Sequence, residues 1–193
     1  MTVSRVGARN MRALGLFRWS VYIVPGSRSR TASLTQVSAQ HDQRILAHLD
    51  LLPGLAEEVG RKPWADVEVR LAAEHDFLVS TLLPHIERVE AAVHPELDSI
   101  MSCRLGMAPL EREHKEIRKY VAETGELLAS LAGREPTVGE VVELNRVLLE
   151  LFWTLKLHIR EERLYLPILE RNLSREQAEA IAMAMEHPSG PEV

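Results

Sequence analysis

Four long segments of this chain carry apolar residues at helical spacing, and this periodicity limits the fold more than any other feature. The clearest segment is 138–172, in which Leu151 and Leu155 precede a polar pair, His158 and Glu162, four residues apart. On an α-helix, two residues at that spacing lie on one face, one turn apart. The spacing alone is compatible with a surface pair, but an imidazole and a carboxylate on one face are also half of a metal site.

The remaining segments predict three more long helices and a short fifth one. Proline favours the first turn of a helix and glycine the position after its end, so these residues mark the expected boundaries. Pro53-Gly54 is expected to bend or shorten the first helix, Asp66 is a possible cap of the second, and kinks are expected at Pro84 and Pro95. The predicted helices span residues 35–59, 64–93, 107–133, 138–172 and 174–187.

Length and composition are typical of one all-α domain. The chain has 193 residues, of which 46% are hydrophobic and only 5% aromatic, while Leu, Ala and Glu are abundant. This usage favours helices over a β-sandwich, and short connections make successive helices antiparallel. We therefore predict an antiparallel four-helix bundle with a short C-terminal fifth helix over residues 35–187, between a basic tail over 1–34 and a C-terminal tail over 188–193.

The charge is divided unevenly along the chain. Residues 1–40 contain six arginines and no Asp or Glu, so the net charge of −5 leaves −11 on the remainder. An acidic remainder argues against a nucleic-acid partner, which would require a basic surface.

The N-terminal residues contain an apolar patch over 13–24, interrupted by Arg18, that is too short and too charged to span a membrane. No clear secretory signal is evident either, so we expect a cytoplasmic protein. Residues 1–34 are interpreted as a disordered tail or as the product of an upstream translation start. An amphipathic segment that touches a membrane is the alternative.

The single cysteine, Cys103, excludes an intrachain disulfide and a cysteine-rich zinc module. Any metal would have to be bound by histidine and carboxylate ligands. Such ligands suit iron, manganese or zinc better than copper(I).

Each predicted long helix carries a histidine that is a candidate ligand. His41 lies on the first helix, with His48 one heptad further on, and either of them could turn inward. His114 lies in a charged run of the third helix that is equally typical of an exposed surface. Taken singly, such histidines are more often surface or core residues than ligands, so the prediction depends on their occurring together.

The second helix lacks the matching carboxylate of the fourth. Four residues after His85 the chain has Val89, and Glu90 points about 140° away from His85 on a regular helix. Glu90 would reach the face of His85 only if Pro84 or a π-bulge changed the winding. We keep Glu90 as a candidate ligand on that condition.

This order of motifs resembles hemerythrin-like (HHE cation-binding) domains over about residues 38–172. The resemblance rests on His41, the run Leu-Leu-Pro-His85, the run Glu113-His114-Lys-Glu-Ile117 and the run His158-Ile-Arg-Glu-Glu162. It implies a four-helix bundle that holds a non-haem di-iron centre. It further implies that the four histidines are terminal nitrogen ligands and that Glu162 is a bridging carboxylate.

Two departures from the family pattern affect the expected chemistry. Val89 replaces the second bridging carboxylate, which predicts a weakly occupied second metal position or a mononuclear site. Leu110 occupies the position of an additional histidine of the oxygen-carrying hemerythrins, which argues against reversible oxygen transport.

We therefore expect an iron-binding protein that handles O₂, NO or peroxide in sensing, storage or scavenging. Whether it also turns over a substrate is left open, as is any protein partner. The alternative hypothesis is a metal-free helical interaction module that has lost the di-iron centre.

Overall fold

A computed structural model describes residues 33–101 and 107–186 of the chain. Every regular element in these residues is a helix, so the predicted all-α class is confirmed for this part of the chain. None of these helices is long and apolar enough to cross a membrane. The predicted tails over 1–34 and 188–193 lie outside the described residues except for Ser33 and Leu34, and Cys103 lies outside them as well.

The described residues form eight α-helices and one π-helical turn. In chain order these are α1 (Leu34–Leu49), α2 (Leu52–Glu58), α3 (Trp64–Phe77), the π-helical turn (Leu78–Leu82), α4 (Leu83–Ala92), α5 (His94–Met101), α6 (Ala108–Leu131), α7 (Val138–Asn172) and α8 (Arg175–Glu186). The α7 bounds equal the predicted ones, and α6 begins and ends close to the predicted residues.

The first predicted helix, 35–59, is two helices, so its prediction as one element was wrong. The α1 helix ends at Leu49, and α2 begins at Leu52 with Pro53 in its first turn. Proline fits there because the backbone N–H that it lacks has no partner in a first turn. If the first helix continued without a break, Pro53 would lie in its interior and remove a backbone hydrogen bond. The chain therefore begins a new helix at Leu52.

Side-chain caps fix the starts of α1, α7 and α8. Ser33 caps α1 together with Gln36, and Thr137 caps α7 together with Glu140. At α8 the Ser174 hydroxyl accepts from the Gln177 N–H and the Gln177 side chain accepts from the Ser174 N–H, which forms a capping box. Asp66, in contrast, lies in the first turn of α3 and does not cap it, because the cap position is held by Pro63.

The predicted kink at Pro84 takes the form of the π-helical turn that precedes it. The N–H of Leu83 donates to the carbonyl of Leu78, five residues earlier, and Pro84 then lies in the first turn of α4. A proline inside an α-helix removes one hydrogen bond and collides with the preceding turn, and a wider π turn relieves both problems. Pro95 likewise falls in the first turn of a new helix, α5.

The long α7 helix is packed by α6, α1, α2 and α5, and it joins two apolar clusters. The larger cluster includes Ile45, Ile86, Ile117 and Leu155. The smaller cluster includes Leu34, Val89, Leu110 and Leu166. Each of α1, α4, α6 and α7 contributes to both clusters, so these four helices pass from one apolar region to the other.

Two glycines of this region allow a matched stability test. Gly60 has a φ of +76°, and a Cβ added to it would lie 3.0 Å from Val141 Cγ1. Gly60→Ala is expected to lower the free energy of unfolding by about 1–2 kcal/mol, because alanine is strained in that conformation. Gly54, inside α2, has no atom within 4 Å of an added Cβ, so Gly54→Ala is expected to raise it by about 0.5 kcal/mol. Urea unfolding measures the change in the free energy of unfolding for each variant. Changes of the same sign would contradict the inference that Gly60, and not Gly54, has a conformation that requires glycine.

Candidate metal centre

A layer of polar side chains lies between the two apolar clusters. On α6, His114 follows Leu110 of the smaller cluster and precedes Ile117 of the larger one. On α7, His158 and Glu162 lie between Leu155 and Leu166 in the same way, and α1 repeats the pattern with His41. On α4, His85 directly precedes Ile86 of the larger cluster and Val89 of the smaller one. His85, His114, His158 and Glu162 are buried, and His41 is partly buried. The helices therefore bring five of the six predicted ligands into one layer.

Two histidines of this layer face each other through the same ring atom. His114 Nε2 lies 3.0 Å from His158 Nε2, and the two rings are tilted by 59°. These side chains come from α6 and α7, 44 positions apart in the sequence, and they are 0% and 5% exposed. Contact at this distance requires a proton or another positive charge between the nitrogens, because two lone pairs repel each other.

Carboxylates hold the opposite nitrogen of each ring. His158 Nδ1 lies 3.0 Å from a Glu113 oxygen, and His114 Nδ1 lies 2.9 Å from a Glu90 oxygen. A carboxylate accepts a hydrogen bond, so each Nδ1 carries the hydrogen and each Nε2 keeps its lone pair. This tautomer follows from the hydrogen-bond network, and it leaves both facing Nε2 atoms as free donors for a cation.

His41 and His85 form a second pair in the layer. Their rings stack with centroids 4.2 Å apart, and His41 Nε2 and His85 Nδ1 are buried without a hydrogen-bond partner in the described part of the chain. Burial lowers the pKa of His85 to about 3, helped by the nearby His41 and Arg88 and by His158 and His114. His85 thus shares one electrostatic environment with the other three histidines.

Burial also lowers the pKa of His114 to about 4, with a further contribution from His158. His85 and His114 are therefore neutral at pH 7. A neutral imidazole is the form that binds a metal ion.

Glu162 is the buried carboxylate of the layer. Its Oε2 lies 3.8 Å from His158 Nε2, and its Oε1 has no hydrogen-bond partner among the described residues. Burial raises the pKa of Glu162 to about 7, Asp42 adds to the rise, and His158 and Arg163 oppose it. A buried carboxyl with an unpaired oxygen is costly unless a cation compensates it.

Glu90 lies beside the layer and contacts the outer side of His114. The π-helical turn ends at Leu82, before His85, so His85 and Glu90 stay on a regular helix and do not share a face. Two hydrogen bonds from Arg118 hold the Glu90 carboxylate, at 2.9 and 2.5 Å. Burial alone would raise the pKa of Glu90, but the bonds from Arg118 and His114 outweigh it and lower the pKa. Val89 is buried in the smaller apolar cluster.

The choice between His41 and His48 is settled by their neighbours. His48 Nδ1 is 2.8 Å from Glu74, and its ring stacks on Phe77, away from the other candidate ligands. The structure also brings in three residues that sequence reasoning missed: His94, Asp42 and Glu113. Each is a chain neighbour of a candidate, or lies one helical turn from one, which is the signal that could have identified it.

His94 and Asp42 extend the polar layer. His94 stacks on His114 with centroids 5.3 Å apart, and its Nε2 is buried without a partner among the described residues. The buried Asp42 carboxylate accepts a hydrogen bond from Arg163 at 2.7 Å. Desolvation raises the pKa of Asp42, and the Arg163 contact opposes that rise.

Among residues 33–101 and 107–186, no three His, Cys, Asp or Glu side chains are arranged to hold a metal ion as they stand. The donor chemistry of the layer nevertheless fits a borderline cation such as Fe(II), since it offers imidazole nitrogens and one buried carboxylate. The unpartnered atoms of His41, His85 and Glu162 are the ones that such a cation would satisfy.

Comparison with known proteins finds no matching family model, no matching curated protein and no matching solved structure. The resemblance to hemerythrin-like domains therefore rests on the residues of this chain alone.

Glu162 makes the stability of the metal-free protein depend on pH. Because its folded pKa is about 7 and its ordinary value 4.5, the unfolded chain loses this proton first, and stability falls as pH rises from about 4.5 to 7. Glu162→Gln removes this titration. The chelator-treated variant should exceed the wild type by about 2–3 kcal/mol at pH 8 and match it near pH 4.5.

Urea unfolding at the two pH values measures the difference. Glu161→Gln, one position away and more exposed, is the control and should follow the wild type at both pH values. If the free energy of unfolding of Glu162→Gln differed from that of the wild type by the same amount at both pH values, the titration of Glu162 would not be the cause.

Proposed function

We propose that this chain is a hemerythrin-like, non-haem iron-binding protein of the cytoplasm that handles O₂, NO or peroxide in sensing, storage or scavenging. In this proposal α1, the α3–α4 segment, α6 and α7 form an antiparallel four-helix bundle with α8 as the short fifth helix. The polar layer between the two apolar clusters is the proposed iron site.

The observation that carries the proposal is the approach of His114 Nε2 to His158 Nε2 at 3.0 Å. Both atoms present a lone pair, because Glu90 and Glu113 hold the opposite nitrogens. Burial lowers the pKa of His114 to about 4, so this ring supplies no proton near neutral pH. A metal cation would stabilise this pair in the buried layer.

The proposed ligands are His41, His85, His114 and His158 with the Glu162 carboxylate. Iron bound by these ligands would contact three buried atoms that have no hydrogen-bond partner among the described residues, namely His41 Nε2, His85 Nδ1 and Glu162 Oε1. Glu113 and Glu90 would fix ring orientation and raise the basicity of the two imidazoles, as carboxylates commonly do behind metal-bound histidines. Arg118 in turn holds Glu90 in position.

Bound iron would supply open coordination positions and a one-electron reductant for a small oxidant. The protein's own contribution is a polar layer closed on two sides by apolar clusters, which limits water and strengthens electrostatic interactions. Imidazole and carboxylate ligands accept manganese and zinc as well, so the identity of the metal is part of the proposal.

We further propose one iron per chain. Val89 offers no second bridging oxygen, and the Glu90 oxygens are engaged by His114 and Arg118. A second iron would need solvent oxygens, or a Glu90 side chain that leaves both partners. A metal-free helical interaction module remains the rival hypothesis, and metal content distinguishes the two.

Elemental analysis of tag-free protein, expressed with iron available, tests the proposal directly. We expect about one iron in each wild-type chain and at least a tenfold loss in His158→Ala, with unchanged helicity by circular dichroism. His48→Ala is the matched control, since His48 lies on α1 beside Phe77 and outside the layer, and it should keep its iron. A metal-free wild type would favour the interaction module, and full iron in His158→Ala would contradict the assignment of His158.

A substitution at Glu90 separates a ligand from a residue that orients a ligand. If Glu90 acts only through His114, Glu90→Gln should weaken iron binding by about 10–100-fold and leave the stoichiometry at saturation unchanged. Glu87→Gln, on the exposed side of α4, is the control and should bind iron like the wild type. Metal titration measures both quantities, and a loss of one metal equivalent in Glu90→Gln would instead make Glu90 a ligand.

A further inference from the structure

The α7 helix carries a second apolar face on the side away from the core. Five apolar residues on it are exposed to solvent, with Val142, Trp153 and Leu164 each more than 60% exposed. This α7 stripe consists of Val142, Leu149, Trp153, Leu157 and Leu164, at 63, 39, 65, 50 and 67% exposure. Exposed apolar residues that occur singly are ordinary, whereas several on one helical face mark an interaction surface. On this face they are interrupted by Arg146, between Val142 and Leu149, and by Arg160, between Leu157 and Leu164.

Helical geometry places the α7 stripe opposite the buried face. At 100° per residue the five side chains fall within an arc of about 80°. Leu151, His158 and Glu162, which point into the protein, lie about 100–180° from the two edges of that arc. The stripe therefore lies outside the two apolar clusters of the described chain, and α7 carries apolar residues on two opposite sides.

The stripe is symmetric about Trp153. Leu149 and Leu157 lie four residues before and after it, and Val142 and Leu164 lie eleven residues before and after it. If a second α7 helix lies antiparallel across the first with a two-fold axis at Trp153, Leu149 faces Leu157 of the other copy and Val142 faces Leu164. A two-fold interface requires this kind of self-complementary row.

The charges beside the stripe favour the same antiparallel direction. Glu150 and Lys156 lie three residues on either side of Trp153, and Glu143 and Arg163 lie ten residues on either side. The antiparallel arrangement thus sets acidic residues of one copy opposite basic residues of the other. Each of these side chains also has an intrachain partner, so the pairing contributes mainly to direction.

One like-charged pair follows from the same symmetry. Arg146 and Arg160 lie seven residues on either side of Trp153 and would face each other across the two copies. Arg146 is bonded by Glu123, Glu143 and Glu150, and these three carboxylates offset its charge.

We propose that two copies of this chain associate through the α7 stripe, with their α7 helices antiparallel around a two-fold axis at Trp153. The contact spans about 33 Å of helix, from Val142 to Leu164, at 1.5 Å per residue. Contact between one pair of helices is at the small end of stable interfaces. The dimer should therefore dissociate at concentrations on the order of micromolar.

Sedimentation equilibrium of the full chain across the micromolar range tests the association. The wild type should change from monomer to dimer, and Trp153→Glu should weaken the dimer by about 30-fold or more, as expected for a central tryptophan anchor. Val69→Glu is the matched control: Val69 is 70% exposed but lies on α3, outside the stripe, and its dimer should be unchanged. Circular dichroism checks that all three proteins keep their helicity.

Cysteine cross-linking tests the antiparallel register. In a Cys103→Ser background, Leu149→Cys and Leu157→Cys chains should form a disulfide with each other when mixed and oxidised. Neither should link to itself, because equal positions would lie about 12 Å apart along the helices, beyond the reach of a disulfide.

Three results would overturn the proposal. The first is a wild-type chain that stays monomeric across the micromolar range. In that case another partner, such as residues 1–32 or a different protein, would have to cover the stripe. A dimer that Trp153→Glu leaves intact would exclude the stripe as the interface. Self-linking of Leu149→Cys would exclude the antiparallel register. Metal content plays no part in these measurements, so they are independent of the proposed iron site.

Discussion

The contact between two imidazole nitrogens, His114 Nε2 and His158 Nε2, is the interaction around which the rest of the molecule is arranged. Two lone pairs this close are unfavourable in water and more so in a buried layer, where the local dielectric is low. The protein holds them there by fixing each ring from its outer side with a carboxylate and by clamping the layer between two apolar clusters. The packing of four helices thereby maintains the contact on which the proposed iron site depends.

Helix existence and extent were predictable wherever local chemistry determines them. The α7 helix begins at a Thr137–Glu140 capping box and ends at Asn172, as its apolar spacing predicts. The first helix was mispredicted because its apolar spacing continues through Pro53, whereas the backbone restarts at Leu52 to place that proline in a first turn. The π-helical turn before Pro84 also accommodates a proline. The sequence shows the proline, but it does not show that the helix widens over Leu78–Leu82.

The candidate site was predictable in its inner residues and not in its outer ones. The occurrence of a histidine on each predicted long helix, with Glu162 four residues after His158, predicts that these residues lie together, whereas the spacing alone is compatible with an exposed surface. Glu113 could not be assigned to His158 in advance, because that contact depends on how α6 is rotated against α7. Glu90 was kept as a candidate ligand on the condition that the helix winding changed, but its partners are His114 and Arg118 of another helix. His94 joins the layer only because α5 begins anew after Val93 and directs it toward His114.

The two faces of α7 show how one helix serves two different physical demands. Its inner face must be apolar except at His158 and Glu162, because any other unpaired polar group there would be costly. Its outer face is under no such demand from the fold, since Val142, Trp153 and Leu164 are each more than 60% exposed and belong to neither apolar cluster. Exposed apolar side chains add nothing to folding stability where they stay in water. Their symmetric spacing about Trp153 therefore has its physical explanation in a second surface of the same kind, and the antiparallel arrangement of acidic against basic flanks gives that surface a direction.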